Sequence, residues 1–240
     1  MDEHPLALVT GAAHRLGKAF ALTLARRGYA VLVHYRASQE QAEQTIAEIK
    51  TMGVPAYLAQ ADLTDPAGIE SLFDVVDSLP HTLSVLVNSA AIMQKKDLRT
   101  LTADDWDATL NLNLRAPFLL GQAAAKHMIS GGLIVNVSDI GANKLWTGYP
   151  AYVVSKSALD TLTHLMAKIY APAVRVNAIA PGLVLPSENV TAEEWDRLVQ
   201  RLPLQRPARS EEITSALEFL VRNEYVTGQT IVVDGGYSLI

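Results

Sequence analysis

The sequence contains no cysteine among its 240 residues. Disulfide bonds, a thiolate nucleophile and metal sites with cysteine ligands are therefore excluded. His14, His34 and His164 lack the spacing of a metal site, so we predict no bound metal.

A concentration of basic charge is also missing. The 20 lysines and arginines are scattered against 25 aspartates and glutamates, which leaves a formal net charge of −5. This balance excludes nucleic acid and an anionic membrane surface, so a small molecule is the expected partner. No apolar run is long enough to span a bilayer, and the acidic opening residues MDEHP do not form a signal peptide. We therefore expect a cytoplasmic protein.

Short apolar runs alternate with longer amphipathic stretches along the whole chain. With 49% hydrophobic and 19% charged residues, the composition is typical of a well-packed protein. Several runs are apolar through most of their length, as in a parallel sheet that helices cover on both faces. The predicted strands span 6–10, 30–35, 56–62, 85–90, 133–138, 174–180 and 230–236. The predicted helices span 15–27, 39–51, 65–78, 113–130, 152–171 and 210–223, with a short one at 191–201.

This alternation predicts an α/β fold with a doubly wound parallel sheet of about seven strands and helices on both faces. No linker divides the chain, so we predict a single domain over residues 1–240. Asp65 and Ser210 are predicted to be the N-caps of their helices. Ligands bind beyond the carboxyl ends of the strands in such a sheet. The less regular segment at about 183–209 is the expected substrate loop.

The first predicted strand ends in TGAAHRLG, residues 10–17, and leads directly into a helix. Gly11 would form a tight turn, and Gly17 would let the helix and the strand pack closely. The N–H groups at the helix start would then bind a pyrophosphate. The spacing differs from GxGxxG because Arg15 stands where a related loop carries a glycine. From this octet alone, an ordinary turn between a strand and a helix remains the alternative.

The second predicted strand ends in HYRAS, residues 34–38, with no carboxylate before Glu40. A carboxylate at this place would bind the ribose 2′-hydroxyl of NADH and repel the 2′-phosphate of NADPH. Arg15, Arg36 and the hydroxyl of Ser38 could instead bind the phosphate. We therefore predict NADPH rather than NADH, the alternative being that Arg36 is only a solvated charge.

The segment YVVSK, residues 152–156, places Tyr152 and Lys156 on one face of a helix. A nearby ammonium is expected to lower the pKa of a phenol, which is about 10 in peptides. The phenol could then protonate an oxygen or nitrogen while a cofactor delivers a hydride to the adjacent carbon. Such pairs are common on exposed helices, so this interpretation depends on the nucleotide-binding turn upstream.

Several motifs occur in a fixed order along the chain, from the turn after the first strand to the last predicted strand. They are TGAAHRLG at 10–17, Asp62 with Leu63, NSAA at 88–91, Asn113, YVVSK at 152–156, Pro181 with Gly182, and VDGG at 233–236. In this order and spacing the chain resembles the short-chain dehydrogenase/reductase family over nearly its whole length. The resemblance implies a Rossmann-type sheet and a nicotinamide cofactor. It also implies that Tyr152 is the proton donor, that Lys156 lowers the pKa of Tyr152 and holds the nicotinamide ribose, and that Asn113 supports a proton-relay water.

The resemblance also assigns residues to the cofactor. Asp62 would face the adenine, Asn88 would hold the strand beside the cofactor, and Pro181 with Gly182 would line the nicotinamide pocket. The complete predicted cofactor site comprises Gly11, His14, Arg15, Leu16, Gly17, His34, Tyr35, Arg36, Ser38, Asp62, Leu63, Asn88, Ser89, Ala90, Tyr152, Lys156, Pro181 and Gly182.

One position departs from the common pattern of the family. A serine usually lies thirteen residues before the tyrosine, but here Asp139 occupies that place and Ser138 is one residue away. Neighbouring residues of a strand point to opposite faces, so we predict Asp139 as the site residue, unless an extra loop residue restores Ser138. This aspartate, together with Arg15, HYRAS at 34–38 and GYPAY at 148–152, makes the chain resemble the pteridine reductase branch of the family.

The leading hypothesis is therefore an NADPH-dependent reductase of a pterin or dihydrofolate-like C=N bond. A general carbonyl or 3-oxoacyl reductase is an alternative, favoured if Ser138 faces the cofactor. A non-catalytic NADP-binding sensor or scaffold is a second alternative. Trp146 is either an aromatic face for the substrate or ordinary loop packing. The predicted substrate residues are Met93, Ser138, Asp139, Trp146, Tyr149 and Leu183.

The helices around 113–130 and 152–171 carry many small and apolar residues. In the family that the chain resembles, the equivalent helices form dimer and tetramer contacts. We therefore expect a homo-oligomer, the alternative being that these faces only cover the sheet.

Overall fold

A seven-stranded parallel sheet forms the centre of the protein, whose computed structural model describes residues 4–128, 131–186 and 190–240. The strand order is β3-β2-β1-β4-β5-β6-β7, and every pairing between neighbours is parallel. The predicted fold class is thus confirmed, because each predicted strand is present with small shifts at its ends. The strands are β1 (Leu6–Val9), β2 (Ala30–Tyr35), β3 (Ala56–Gln60), β4 (Leu83–Asn88), β5 (Gly132–Val137), β6 (Val174–Pro181) and β7 (Thr230–Val233).

Helices connect the strands and cover both faces of the sheet. Asp65 caps the third helix as predicted, since its side chain accepts a hydrogen bond from the N–H of Ala67. The predicted N-cap at Ser210 is wrong, because Arg209 holds that position. The helices are α1 (Arg15–Arg26), α2 (Gln39–Lys50), α3 (Pro66–Ser78), α4 (Ala103–Leu110), α5 (Ala116–His127), α6 (Gly141–Lys144), α7 (Pro150–Tyr170), α8 (Ala192–Arg201) and α9 (Ser210–Arg222).

The predicted helix over 113–130 differs most from the structure. Helix α4 begins ten residues earlier, where Thr102 and Asp105 form a capping box. A π-helix over Asn111–Arg115 joins α4 to α5, and it contains Asn113. π-helical turns inside α-helices are rare, and those that occur are often found at functional sites. The predicted end at Ser130 lies outside the described residues.

Two hydrophobic clusters hold the helices against the sheet. On one face, Phe20 of α1 and Leu217 of α9 pack on the valines of the strands. On the other face, Leu72 of α3, Leu120 of α5 and Met166 of α7 pack on the leucines. The central strands β1, β2, β4, β5 and β6 are buried on both sides, which explains why their sequences are mostly apolar, whereas the edge strands β3 and β7 are partly exposed.

The strand order reverses direction at β1, which pairs with β2 on one side and with β4 on the other. The connections leave β1 and β4 toward opposite faces, so a crevice opens beyond the carboxyl ends of these two strands. No helix within the described ranges is both long enough and apolar enough to cross a membrane.

Candidate active site

A cleft of about 470 Å³ lies at this crevice, beyond the carboxyl ends of the strands. It is lined by the turn after β1, the end of β2, the loops after β4, β5 and β6, and the first turns of α7. The fold therefore brings together residues that are far apart in the sequence. The predicted site residues that line it are Gly11, His14, Arg15, Leu16, Gly17, His34, Tyr35, Arg36, Ser38, Leu63, Ser89, Ala90, Met93, Ser138, Asp139, Tyr152, Lys156, Pro181 and Gly182.

Further lining residues were not predicted from the sequence. They are small or apolar, so no polar motif marks them as part of a site. Only their positions within or next to the motifs could have indicated them. These residues are Ala13, Ala37, Ala61, Ala91, Ile92, Leu112, Val137, Val184 and Leu185.

The turn after β1 is shaped to admit an anion. Gly11 has a φ of +63°, which favours glycine. A Cβ atom on Gly17 would lie 2.1 Å from the carbonyl oxygen of Gly11, so only glycine fits where α1 meets the turn. His14 at the N-cap of α1 makes no capping hydrogen bond through its side chain, and the first turn carries no acidic residue. The N–H groups of that turn fit the pyrophosphate of a dinucleotide.

His34 holds this turn in place through hydrogen bonds of both its ring nitrogens. The N–H of Gly11 donates to His34 Nδ1 at 3.1 Å, and His34 Nε2 lies 3.1 Å from the carbonyl oxygen of Ala61. Nε2 therefore carries the proton of a neutral ring. Burial lowers the pKa of His34 from 6.5 to about 4. His34, predicted as a cofactor residue, thus links the turn after β1 to the end of β3.

The two arginines of the predicted phosphate site lie in different environments. The Arg15 guanidinium donates to the carbonyl oxygens of Leu185 and Pro186 at 3.1–3.2 Å, which connects the turn after β1 to the loop after β6. Arg36 is exposed just after β2, where its charge adds to the hydrogen bonds from Thr64 that lower the pKa of Asp62. No acidic side chain follows β2 before Glu40, so this end of the cleft is open to a 2′-phosphate.

Asp139 and Tyr152 form a hydrogen-bonded pair in the cleft. Tyr152 Oη donates to Asp139 Oδ2 at 2.9 Å, and the N–H of Gly141 donates to Asp139 Oδ1 at 2.6 Å. Burial raises the pKa of Asp139. Burial also raises the pKa of Tyr152 well above its usual value, and the Asp139 carboxylate beside it acts in the same direction. The pair therefore retains the phenol proton at neutral pH.

Lys156 lies one turn further along α7 and is buried. Its ammonium donates to the carbonyl oxygen of Val137 at 2.6 Å and lies 5.7 Å from the centre of the Tyr152 ring. Burial lowers the pKa of Lys156 to about 8, while the charges of Asp139 and Asp160 oppose that shift. The expected lowering of the Tyr152 pKa is wrong for this structure, because burial and Asp139 determine the direction.

Asn113 is buried behind the cleft rather than in its lining. Its Oδ1 accepts from the N–H of Ile92 at 2.9 Å, and its Nδ2 donates to the carbonyl oxygen of Ile92 and to Ser155 Oγ at 3.1 Å. Ser155 Oγ in turn donates to the carbonyl oxygen of Tyr152 at 2.7 Å. Asn113 thus connects the loop after β4 to the helix that carries the tyrosine.

Ser138 and Asp139 differ in what they contact. The N–H of Ser138 continues the pairing of β5 with β6 by donating to the carbonyl oxygen of Ile179 at 2.8 Å. Ser138 Oγ is buried and, among the described residues, has no hydrogen-bond partner of normal geometry, although it is close enough to Asp160 to oppose the rise in pKa that burial causes in that carboxyl. Asp139, not Ser138, is therefore the residue that contacts Tyr152.

Asp62 and Asn88 also lie outside the lining of the cleft. Asp62 Oδ1 accepts hydrogen bonds from the N–H and the hydroxyl of Thr64, at 2.9 and 2.7 Å. Asn88 Nδ2 donates to Asn136 Oδ1 at 2.9 Å, which joins β4 to β5 beneath the cleft.

Three residues predicted at the substrate lie elsewhere because they pack in a separate cluster. The Trp146 ring covers Gly141 and meets Tyr149 and Tyr237 at centroid distances of 6.4 and 6.2 Å. Leu183 packs against the cluster of Ile140, Ala180, Leu202 and Tyr237. Trp146, Tyr149 and Leu183 therefore support the loop that carries Asp139 instead of facing the cleft. Within the part of the substrate loop that the structure describes, Leu185 lines the cleft, and residues 187–189 lie outside the described ranges.

Known proteins resemble this chain over nearly its full length. A family described as enoyl-(acyl carrier protein) reductase matches residues 11–238. A 1-cyclohexenylcarbonyl-CoA reductase of Streptomyces collinus is 34% identical over 249 residues, which cover 100% of this chain and 89% of that protein. The 3-oxoacyl-(acyl-carrier-protein) reductase FabG of Staphylococcus aureus is 34% identical over 237 residues, 96% of each chain. The crystal structure of FolM alternative dihydrofolate reductase 1 from Brucella canis complexed with NADP has a TM-score of 0.94 and 34% identity, and covers 100% of this chain and 96% of that one.

Proposed function

The chain belongs to the short-chain dehydrogenase/reductase family of oxidoreductases, and from that premise we propose that it is an NADPH-dependent reductase of a pterin or dihydrofolate-like C=N bond. The observation that carries this proposal is the carboxylate of Asp139 in the cleft, hydrogen-bonded to Tyr152. Serine is usual at this place in the family, and it would not offer two acceptor oxygens with a negative charge.

The cleft has the features that NADPH requires. Gly11, Gly17 and the uncapped start of α1 would hold the pyrophosphate. Arg36 and Ser38 would bind the 2′-phosphate, which no carboxylate at the end of β2 would repel. The Brucella canis structure, complexed with NADP, supports the same choice of cofactor.

When bound, NADPH supplies the hydride, and the protein supplies the proton. Tyr152 holds a proton on Oη and gives it to the ring nitrogen beside the reduced carbon. Asp139 can pass a proton taken up from solvent back to Tyr152, since burial raises the pKa of Asp139 and Tyr152 Oη lies 2.9 Å away. Lys156 stabilises the phenolate while the proton is absent, because its ammonium lies beside the ring.

A pterin suits these groups better than a simple ketone. Its ring presents a row of N–H donors, which an ionised carboxylate accepts. Asp139 can therefore orient such a ring as well as exchange a proton with Tyr152. Met93, which lines the cleft, offers a flexible apolar side chain that can pack on a flat ring.

Reduction of a 3-oxoacyl thioester is the second candidate. The similarity to FabG of Staphylococcus aureus favours it, as does the description of the matching family. The contacts of Ser138 oppose it, because its hydroxyl does not reach Tyr152 within hydrogen-bond distance, so the serine of a carbonyl reductase is not in place.

The direct test measures NADPH oxidation at neutral pH with 7,8-dihydropterins and dihydrofolate beside ketones and 3-oxoacyl thioesters. Turnover confined to the pterins and lost in Tyr152→Phe and Asp139→Ala would support the proposal. Turnover of the thioesters that survives Asp139→Ala would favour the second candidate. Tight binding of NADPH without turnover of any substrate would favour a non-catalytic sensor or scaffold.

We also propose that the chain forms a homo-oligomer, a dimer or a tetramer, through the outward faces of α5 and α7. Phe118 on α5 and Val154, Leu165 and Ile169 on α7 expose apolar side chains there. Burying such a patch against a second copy removes apolar area from water. Light scattering should show an oligomer that Leu165→Lys dissociates, whereas Leu98→Lys, at another exposed leucine, should leave it intact.

A further inference from the structure

Asp160 lies one helical turn beyond Lys156 on α7, and the reaction proposed above gives it no part. Tyr152, Lys156, Asp160 and His164 follow one another at intervals of four residues, so they occupy one face of the helix. Along this face the side chains pass from buried, through half-buried, to exposed at His164. Asp160 therefore lies between the floor of the cleft and the surface.

The carboxylate of Asp160 is oriented by residues outside its own helix. The hydroxyl of Thr230, at the start of β7, donates to Asp160 Oδ1 at 3.3 Å. Burial raises the pKa of Asp160, and Ser138 Oγ, just after β5, is near enough to oppose that rise. The preceding residue, Val137, provides the carbonyl oxygen that accepts from Lys156. The end of β5 thus contacts Lys156 through Val137 and lies beside Asp160 through Ser138.

A buried ammonium requires compensation for the loss of hydration. Within the described residues, Lys156 donates one hydrogen bond, to Val137. Of the two carboxylates whose charges favour its protonated form, Asp139 already accepts from Gly141 and Tyr152. Asp160 is the second carboxylate, and it does not take part in the exchange of a proton with the substrate.

We propose that Asp160 is a positioning residue, which keeps the ammonium of Lys156 charged at the cleft. The inference rests on the proposed function in one respect, since that function is what assigns Lys156 the stabilisation of the Tyr152 phenolate. Asp160 itself does not line the cleft, so it would act through Lys156.

The dependence on pH follows from the charges around the two groups. Lys156 faces Asp139, Tyr152 and Asp160, and its pKa is about 8 because burial outweighs the two carboxylates. Asp160 faces Lys156 and His164, and burial raises the pKa of Asp160 while the charges of these two groups oppose that rise. An ammonium is charged below its pKa, so removal of Asp160 would leave a larger uncharged fraction of Lys156 at and above neutral pH.

The test measures the pKa of Lys156 directly in the cofactor-free protein. Carbon-13-labelled lysine would be followed by NMR against pH, with the Lys156 signal assigned by its absence in Lys156→Met. Asp160→Asn should move the titration of Lys156 to lower pH by roughly one unit. The matched control is Asp77→Asn, which makes the same change of charge at an exposed carboxylate beside His127. It should leave the titration where it is.

A second readout is the affinity for NADPH, measured by fluorescence. Asp160→Asn should bind NADPH as the natural protein does at pH values well below the Lys156 pKa and more weakly above it, while Asp160→Glu should restore the natural profile. Should Asp160→Asn unfold, Asp160→Ser removes the same charge and carries the same expectation. An unchanged Lys156 titration in Asp160→Asn and Asp160→Ser would overturn the inference, even if pterins are reduced. A shifted titration without turnover of pterins would instead contradict the proposed function alone.

Discussion

Tyr152 donates a hydrogen bond from Oη to Asp139 Oδ2 over 2.9 Å, so the cleft contains a phenol and a carboxylate that share one proton. The N–H of Gly141 fixes the second oxygen of the carboxylate. Because burial raises the pKa of both groups, the proton stays with the pair at neutral pH. The sequence-based expectation is that Lys156 lowers the pKa of Tyr152, whereas in the structure burial and Asp139 raise it.

Tyr152→Phe should remove the proton donor without altering the shape of the cleft. We expect kcat to fall by roughly a hundredfold to ten-thousandfold, the usual contribution of a positioned acid. The affinity for NADPH should change little. Tyr149→Phe is the matched control, since Tyr149 lies three residues away and packs against Trp146 outside the cleft. Steady-state kinetics with comparable activity in the two variants would contradict the role of Tyr152.

Arg36→Gln should weaken the binding of NADPH by roughly tenfold, because an exposed guanidinium contributes a modest charge-assisted contact to a phosphate. Binding of NADH should hardly change, because NADH lacks the 2′-phosphate. The control is Arg26→Gln, because Arg26 lies in the last turn of α1, at the end that points away from the turn after β1. It should leave both affinities unaltered. A parallel loss of both cofactors in Arg36→Gln would show that Arg36 does not read the phosphate.

Gly141→Ala should destabilise the loop that carries Asp139. The new Cβ atom would lie 2.8 Å from the Trp146 ring and 3.0 Å from Asp139 Oδ1. We expect a loss of roughly 1–3 kcal/mol in the free energy of unfolding, typical of overpacking, together with reduced kcat. In combination with Trp146→Leu, which removes the ring, the cost of the alanine should be smaller than in the natural background. Strict additivity in urea unfolding would show that the ring does not constrain Gly141.

His34 should make the protein less stable in acid. Burial lowers the pKa of His34 from 6.5 to about 4 in the folded protein, so protonation favours the unfolded chain. The stability from this group is fully present above pH 6.5 and is lost as the pH falls toward 4, by up to about 3 kcal/mol. His34→Asn keeps an acceptor for the N–H of Gly11 but does not titrate.

Urea unfolding of the natural protein and His34→Asn from pH 8 down to 4.5 checks this prediction. The difference in unfolding free energy between them should shrink as the pH falls. A difference that stays constant over this range would mean that His34 keeps an ordinary pKa in the folded protein.

The sheet and the position of the cleft were predictable because they depend on local patterns. The apolar runs of the strands and the glycines after β1 indicate them directly, and Tyr152 and Lys156 follow from helical spacing. The place of Asp139 beside the tyrosine followed from counting along the chain. The roles of Trp146 and Leu183 were not predictable, because an aromatic or aliphatic residue in a loop carries no sign of what it packs against. The raised pKa of Tyr152 also required the structure, since burial and Asp139 outweigh the neighbouring lysine.

The most direct test of the account is the ratio of kcat/KM for a 7,8-dihydropterin to that for a 3-oxoacyl thioester, in the natural protein and in Asp139→Ser. The substitution introduces the serine that is usual at this place in the family and removes the charge that would accept the N–H groups of a pterin. We predict a large ratio in the natural protein and a fall of at least roughly tenfold in the variant, as expected for losing a hydrogen bond to a charged group. A natural protein that prefers the thioester, with a ratio unchanged by Asp139→Ser, would contradict the account.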